Sequence, residues 1–278
     1  MLTEAQIAQF RRDGFLAIPH FWTAEEVAAM REELDRLKAE GHLRNVATDA
    51  AKQNLQITQS FRVSPLFRAA SSHPRVAELL ADLLEGGPVF QYFDQIFLKP
   101  ARSGAPTNWH QDNHYFQLPD PSMAVGVWTA VHPANVANGT MRFVPGAHQA
   151  TLPHRRDPDS DHHYRCDPDE SAAVPVELPA GGVVVFTYGA PHATGRNDTD
   201  AERAGFAMHF AHTERGRTAA VHLDRNGVPV DYTPGTPGRP HVVGPEASAG
   251  MREYGEDQRA AWQRLVHPRP RLVEPDAP

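Results

Sequence analysis

The sequence predicts a mainly β fold, a sandwich or barrel of jelly-roll type with helices packed on its outside. Helical periodicity dominates residues 1–85, and after Gly86-Gly87 the chain turns to short β-type runs broken by Pro, Gly, Asn and Asp. Many short strands without helices between them fit a sandwich or barrel and not a doubly wound sheet. With 278 residues, 40% of them apolar and no long apolar run, the chain can bury one sizeable core. The expected organisation is a single domain over 1–278, with a helical part at 1–85, a jelly-roll core at about 88–212 and an irregular extension at 213–278.

Thr3 with Gln6 and Thr23 with Glu26 have capping-box spacing and open two helices, the second carrying Val27, Met30, Leu34 and Leu37 at helical intervals. Between them, Gly14 to Pro19 reads as a short strand. Pro74, followed by Val76, Leu79, Leu80 and Leu83, opens a third helix. Candidate core strands are Val89 to Leu98, Thr107 to Asp112, Ala124 to Val131, Thr140 to Val144, Val183 to Tyr188 and Arg203 to Phe210. Residues 151–175 read as a long polar loop, a candidate lid. Beyond residue 213 one helix is expected around Glu256 to Val266, and Pro268 to Pro278 reads as loose.

Composition removes several classes of function. No stretch is long and apolar enough for a membrane helix, and the opening Met1 to Gln6 lacks a secretory lead, so the expected location is the cytoplasm. Lys plus Arg number 27 against 34 Asp plus Glu, a net charge of −7 without a basic stripe, which gives nucleic-acid binding no electrostatic footing. A small-molecule partner is expected, and the oligomeric state stays open. Cys166 is the only cysteine, so any metal site must use nitrogen and oxygen ligands.

Trp109-His110-Gln111-Asp112 places an imidazole and a carboxylate two residues apart, on one face of a strand. Alone, His-x-Asp is a weak signal. A third ligand is available at His192, just after the apolar strand Val183 to Phe186, which in a jelly roll can run beside the strand bearing His110. Two histidines and one carboxylate form the facial triad of non-haem iron(II), whose open positions accept a keto acid and dioxygen. Arg203 at the head of a later strand can grip the distal carboxylate of 2-oxoglutarate through two parallel hydrogen bonds, and Thr194 can add a hydroxyl.

The chain resembles the phytanoyl-CoA dioxygenase family of iron(II)- and 2-oxoglutarate-dependent oxygenases over roughly residues 3–212. The resemblance rests on Phe10 to Phe15, Trp109 to Asp112, Asn138 to His148 and Gly181 to Phe186 leading to His192, in that order. It implies a double-stranded β-helix (a cupin-like jelly roll), iron ligands at His110, Asp112 and His192, and co-substrate contacts at Thr194 and Arg203. It further implies that Gln95 and Trp128 line the co-substrate pocket. Related halogenating enzymes lack the ligand carboxylate, so Asp112 implies hydroxylation, desaturation, epoxidation or ring closure. The chain departs from the family pattern at Ala147 and at Ala193-Thr194, which touches substrate identity more than the metal.

Two other classes compete: a zinc-type hydrolase on a β scaffold, which leaves Arg203 without a purpose, and a non-catalytic jelly roll that binds a small molecule. Among the other histidines, His148 is a rival third ligand, His114 and Tyr115 either touch substrate or pack at the barrel mouth, and His162-His163 reads as surface. His209 and His212 cannot be placed inward or outward without the strand register. Arg155 and Arg156 are neutralised by Asp157, Asp159 and Asp161 and read as solvated. The absence of a basic platform for coenzyme phosphates favours a free small molecule as substrate, such as an intermediate of secondary metabolism.

Overall fold

A computed structural model describes residues 2–47, 53–157, 164–215, 222–223, 229–230, 241–244 and 260–261. The chain begins with helix α1 (Glu4–Asp13), strand β1 (Phe15–Ile18) and helix α2 (Ala24–Ala39), and both capping boxes are present. Next come β2 (Arg44–Asn45), β3 (Leu55–Thr58), α3 (Pro65–Ser71) and α4 (Pro74–Leu83). The barrel follows with β4 (Val89–Lys99), β5 (Thr107–His110), a short α5 (Asp112–Phe116), β6 (Ala124–Ala130) and β7 (Met141–Phe143). After these run β8 (Arg155–Arg156), β9 (Tyr164–Arg165), β10 (Val174–Val176), β11 (Val183–Thr187), β12 (His192–Thr194) and β13 (Arg203–His212). Three short strands complete the described chain: β14 (His222–Leu223), β15 (Pro229–Val230) and β16 (His241–Val243).

Two sheets face each other. The major sheet has the order β1-β11-β6-β13-β4-β3-β2, with β16 also paired to β4, and the minor sheet has the order β10-β7-β12-β5. Helices α1 to α4 cover the outer face of the major sheet. Phe10, Met30, Leu34, Phe67, Val76 and Leu80 pack there against Ile96, Leu98, Val127, Val185, Phe206 and Phe210. Between the sheets lies a second core of Phe15, Trp128, Met141, Phe143, Val184, Phe186 and Ala207, in which Phe15 stacks on Phe143 with ring centroids 4.6 Å apart. This is the double-stranded β-helix, as the sequence predicts.

The pleat sorts the side chains of the major sheet. On β4, Ile96 and Leu98 join the outer core, so Gln95, Phe97 and Lys99 point into the barrel. Pairing extends this into rows: Lys99 opposite Arg203; Phe97, Gly205 and Ala130; Gln95, Ala207, Trp128 and Val184; Phe93, His209, Gly126 and Phe186.

Four expectations are corrected. The strand bearing His110 ends there, and Asp112 opens α5; Gln111 between them keeps an extended backbone (φ −110°, ψ 130°), so the two side chains still alternate onto one side. The apolar run of β11 lies in the major sheet between β1 and β6, and it is the separate strand β12 that pairs with β5. Residues 151–175 are not a plain loop, because β8 and β9 form a hairpin and β10 joins the minor sheet. Helix α3, entered through Ser64 as cap and Pro65 at its first turn, was not among the expected elements. Of the helix expected at Glu256 to Val266, Ala260 and Ala261 are described and helical, and the rest lies outside the described residues, as do His162-His163 and Pro268 to Pro278. No helix among the described residues is long and apolar enough to cross a membrane.

Candidate metal centre and co-substrate pocket

His110 and His192 are directly opposite each other where β5 pairs with β12, and their ring centroids are 4.2 Å apart. Each ring is oriented by its own backbone: Nδ1 of His110 lies 2.8 Å from the Asn108 carbonyl, and Nδ1 of His192 lies 3.0 Å from the Ala190 carbonyl. A carbonyl only accepts, so Nδ1 carries the proton and Nε2 keeps its lone pair. Both Nε2 atoms face Oδ1 of Asp112, at 3.7 Å and 3.9 Å. One donor atom from each of the three buried residues lies within 4.8 Å of the other two. Burial lowers the pKa of both imidazoles to about 4, His110 further by its closeness to His192, so both are in the neutral form that ligates a metal. Two neutral nitrogens and one carboxylate oxygen, without thiolate, suit iron(II).

Arg203 is 1% exposed at the head of β13. Its guanidinium lies 5.4 Å from the Trp128 ring and donates to the Gly139 carbonyl, while Nε has no hydrogen-bond partner among the described residues. Gly205 makes room for this arrangement, since a Cβ there would come 2.2 Å from the Trp128 indole. Gln95 lies in the same inward row as Trp128, half-buried. Thr194 lies on β12 two residues past His192, and its Oγ1 accepts from the Thr107 amide at 3.1 Å, leaving its own proton to donate. Lys99, absent from the sequence-derived set, is buried opposite Arg203 and donates to the Ala105 carbonyl. Burial and then the neighbouring Arg203 charge push its pKa well down, and burial alone lowers that of Arg203 to about 9. Arg203, protonated at neutral pH, has no carboxylate ion pair among the described residues, so the pocket has the charge to receive an anion. The signal for Lys99 was its even spacing from Gln95 on one strand.

The remaining histidines sort clearly. His148 packs its ring against Gly14, apart from the three converging donors. His114 stacks on His154 with centroids 4.2 Å apart, while the Tyr115 ring lies 5.9 Å from His110 and its hydroxyl accepts from the Tyr164 amide. His212 accepts from the Glu214 and Arg215 amides and serves a turn, whereas His209 points inward, with Nδ1 3.7 Å from Oδ2 of Asp112. Arg155 is exposed and pairs with Asp167.

Gln111, between His110 and Asp112, faces the other way and joins three segments. Its amide nitrogen donates to the carbonyls of Ala150 (2.7 Å) and Gly189 (2.6 Å), and its Oε1 accepts from Leu152 N (2.8 Å). Its backbone N–H donates to His154 Nε2 at 3.0 Å. A surface cavity of about 400 Å³ opens on this side, lined by Gln111, His114, His148 and His154 and by none of the three converging residues.

Fold and site together define an oxygenase of the iron- and 2-oxoglutarate-dependent class. The family model for phytanoyl-CoA dioxygenase matches residues 10–205, and the chain belongs to that family. An ectoine dioxygenase of Halomonas elongata is 28% identical over 218 residues, covering 70% of this chain and 66% of that protein. The crystal structure of EvdO2 from Micromonospora carbonacea var. aurantiaca, complexed with 2-oxoglutarate, is 27% identical with a TM-score of 0.63, over 82% of this chain and 97% of that one. The epimerase SnoN, solved with Fe3+, α-ketoglutarate and nogalamycin RO, is 26% identical with a TM-score of 0.66, over 82% and 95% of the two chains. The chain is accordingly a non-haem iron, 2-oxoglutarate-dependent dioxygenase that acts on a small molecule.

Proposed function

We propose that His110, Asp112 and His192 hold the iron(II), and that Arg203, Lys99 and Thr194 hold the distal carboxylate of 2-oxoglutarate, with Gln95 and Trp128 lining its pocket. The observation that carries this reading is the convergence of two lone-pair nitrogens and one carboxylate oxygen, from two paired strands and the turn after one of them. When bound, iron with 2-oxoglutarate and dioxygen supplies the oxidising power, and 2-oxoglutarate leaves as succinate and carbon dioxide. The chain's own part is to orient three ligands, fix the keto acid by its far end and keep water from the reacting carbon. The distal carboxylate would supply the counter-charge that buried Arg203 lacks among the described residues, which the hydrolase reading does not use.

The substrate proposed is a free small organic molecule, hydroxylated or otherwise oxidised, as for an intermediate of secondary metabolism. The ectoine dioxygenase and the nogalamycin-bound epimerase, whose names mention no coenzyme A thioester, support this. The exposed Arg155, paired with Asp167, offers no platform for coenzyme phosphates. The single buried cysteine, free of disulfides, supports work in a reducing cytoplasm.

Anaerobic titration with iron(II) and 2-oxoglutarate tests the assignment through the weak visible charge-transfer band of the chelate. His110→Ala, Asp112→Ala and His192→Ala are expected to abolish the band and substrate-dependent succinate formation. Arg203→Ala should keep iron and raise the 2-oxoglutarate requirement roughly 10- to 100-fold, the worth of a hydrogen bond to a charged group. Full iron binding and turnover by His192→Ala would overturn the ligand set.

A further inference from the structure

The two histidines of the centre are each oriented by a backbone carbonyl two residues earlier, but the carboxylate has no such anchor. The oxygens of Asp112 are divided: Oδ1 faces both Nε2 atoms, and Oδ2 is turned to Nδ1 of His209 at 3.7 Å. Among the described residues neither Oδ2 nor either ring nitrogen of His209 has a hydrogen-bond partner, although both side chains are buried, His209 to 3% exposure. Phe93, Phe116 and Tyr188 surround the His209 ring, with centroids 5.9, 5.9 and 5.7 Å away. That wall fixes the ring plane. The separation exceeds hydrogen-bond length by less than an ångström, and the terminal torsion of an aspartate is broad enough to close it.

We propose that His209 is the positioning residue of the metal-binding carboxylate: its Nδ1–H donates to Oδ2 of Asp112, which holds Oδ1 toward the ion. This rests on the ligand assignment proposed above. Each of the three ligands then has one outer partner that sets its direction, and such partners typically tune metal affinity by about 10- to 100-fold.

The test compares wild type with His209→Phe, which keeps a ring in the aromatic wall without a donor, and His209→Asn, whose amide nitrogen can occupy the place of Nδ1. Asp112→Ala is the control. Metal-free proteins, checked for thermal unfolding, are titrated anaerobically with iron(II) alone and then with 2-oxoglutarate, without substrate, reading iron affinity and the position of the charge-transfer band. His209→Phe is expected to bind iron about 10- to 100-fold more weakly and to shift the band, and His209→Asn to restore both. Wild-type iron affinity in His209→Phe while Asp112→Ala loses the metal overturns the inference and leaves the ligand assignment standing. Loss in a folded His209→Asn equal to that of Asp112→Ala also overturns it, because the donor is present there. Retention of iron by Asp112→Ala instead brings down the ligand assignment itself.

Discussion

At the scale of single residues, the inward rows show how little freedom the pocket leaves. Trp128 occupies the space above Gly205, and the Arg203 guanidinium lies over the indole. Gly205→Ala would force the buried ring aside, an overpacking that costs about 1–3 kcal/mol. The expected result is a lower denaturant midpoint together with a raised 2-oxoglutarate KM; an unchanged KM would show that the arginine does not depend on the indole. The convergence of His110, Asp112 and His192 was legible in the sequence because period two puts the first two on one side and the family resemblance adds the third. His209 was not, since its direction depends on the register of β13, which is known only from pairing and which slips just after it, between His209 and Phe210. Lys99 hid for a related reason: a lysine at a strand end ordinarily reaches solvent, and only the pairing with Arg203 shows it buried.

At the scale of elements, the site depends on three segments meeting at Gln111. Its side chain ties the chain after β7, through Ala150 and Leu152, to the turn at Gly189 that leads into β12. Gln111→Leu removes two donated bonds and one accepted bond at a buried position, each orphaned partner costing roughly 1–3 kcal/mol. The mutant should melt lower, and hydrogen exchange should rise first at the Leu152 amide; protection equal to wild type there would argue against the tie. The core strands were readable to within a residue or two at their ends, for alternation and Gly/Pro punctuation mark them. The pairing of β8 with β9 was not, because their polar, charged residues carry no apolar alternation: Arg155 lies opposite Arg165, and both side chains reach Asp167. Likewise β12, three residues long, is defined by its neighbours β5 and β7 more than by its own composition.

For the whole molecule, burial of uncharged imidazoles makes stability depend on pH. His110 and His192 are lowered by burial from 6.5 to about 4, and His114, His132, His148, His154 and His209 shift in the same direction. Between those values the unfolded chain binds more protons than the folded one, so stability is fully present above about pH 6.5 and drains away as pH falls toward about 4. The melting temperature of the metal-free protein should fall across that window. Iron(II) with 2-oxoglutarate should raise it at neutral pH, by mass action on the folded state, and lose that effect over the same range as protons compete for the imidazoles. A melting temperature flat from neutrality to pH 5, by which about one and a half of the pH units between 6.5 and 4 have been crossed, would contradict the assignment of neutral buried histidines.

The sorting of β4 and β13 into outward and inward sets has a practical corollary for redesign. Ile96, Leu98, Phe206, Met208 and Phe210 secure the barrel to its helices, while Phe93, Gln95, Phe97 and Ala207 alternate with them and border the interior. A combinatorial library restricted to the inward set would therefore vary the lining of the co-substrate pocket and the wall around His209 while leaving the contacts between barrel and helices in place.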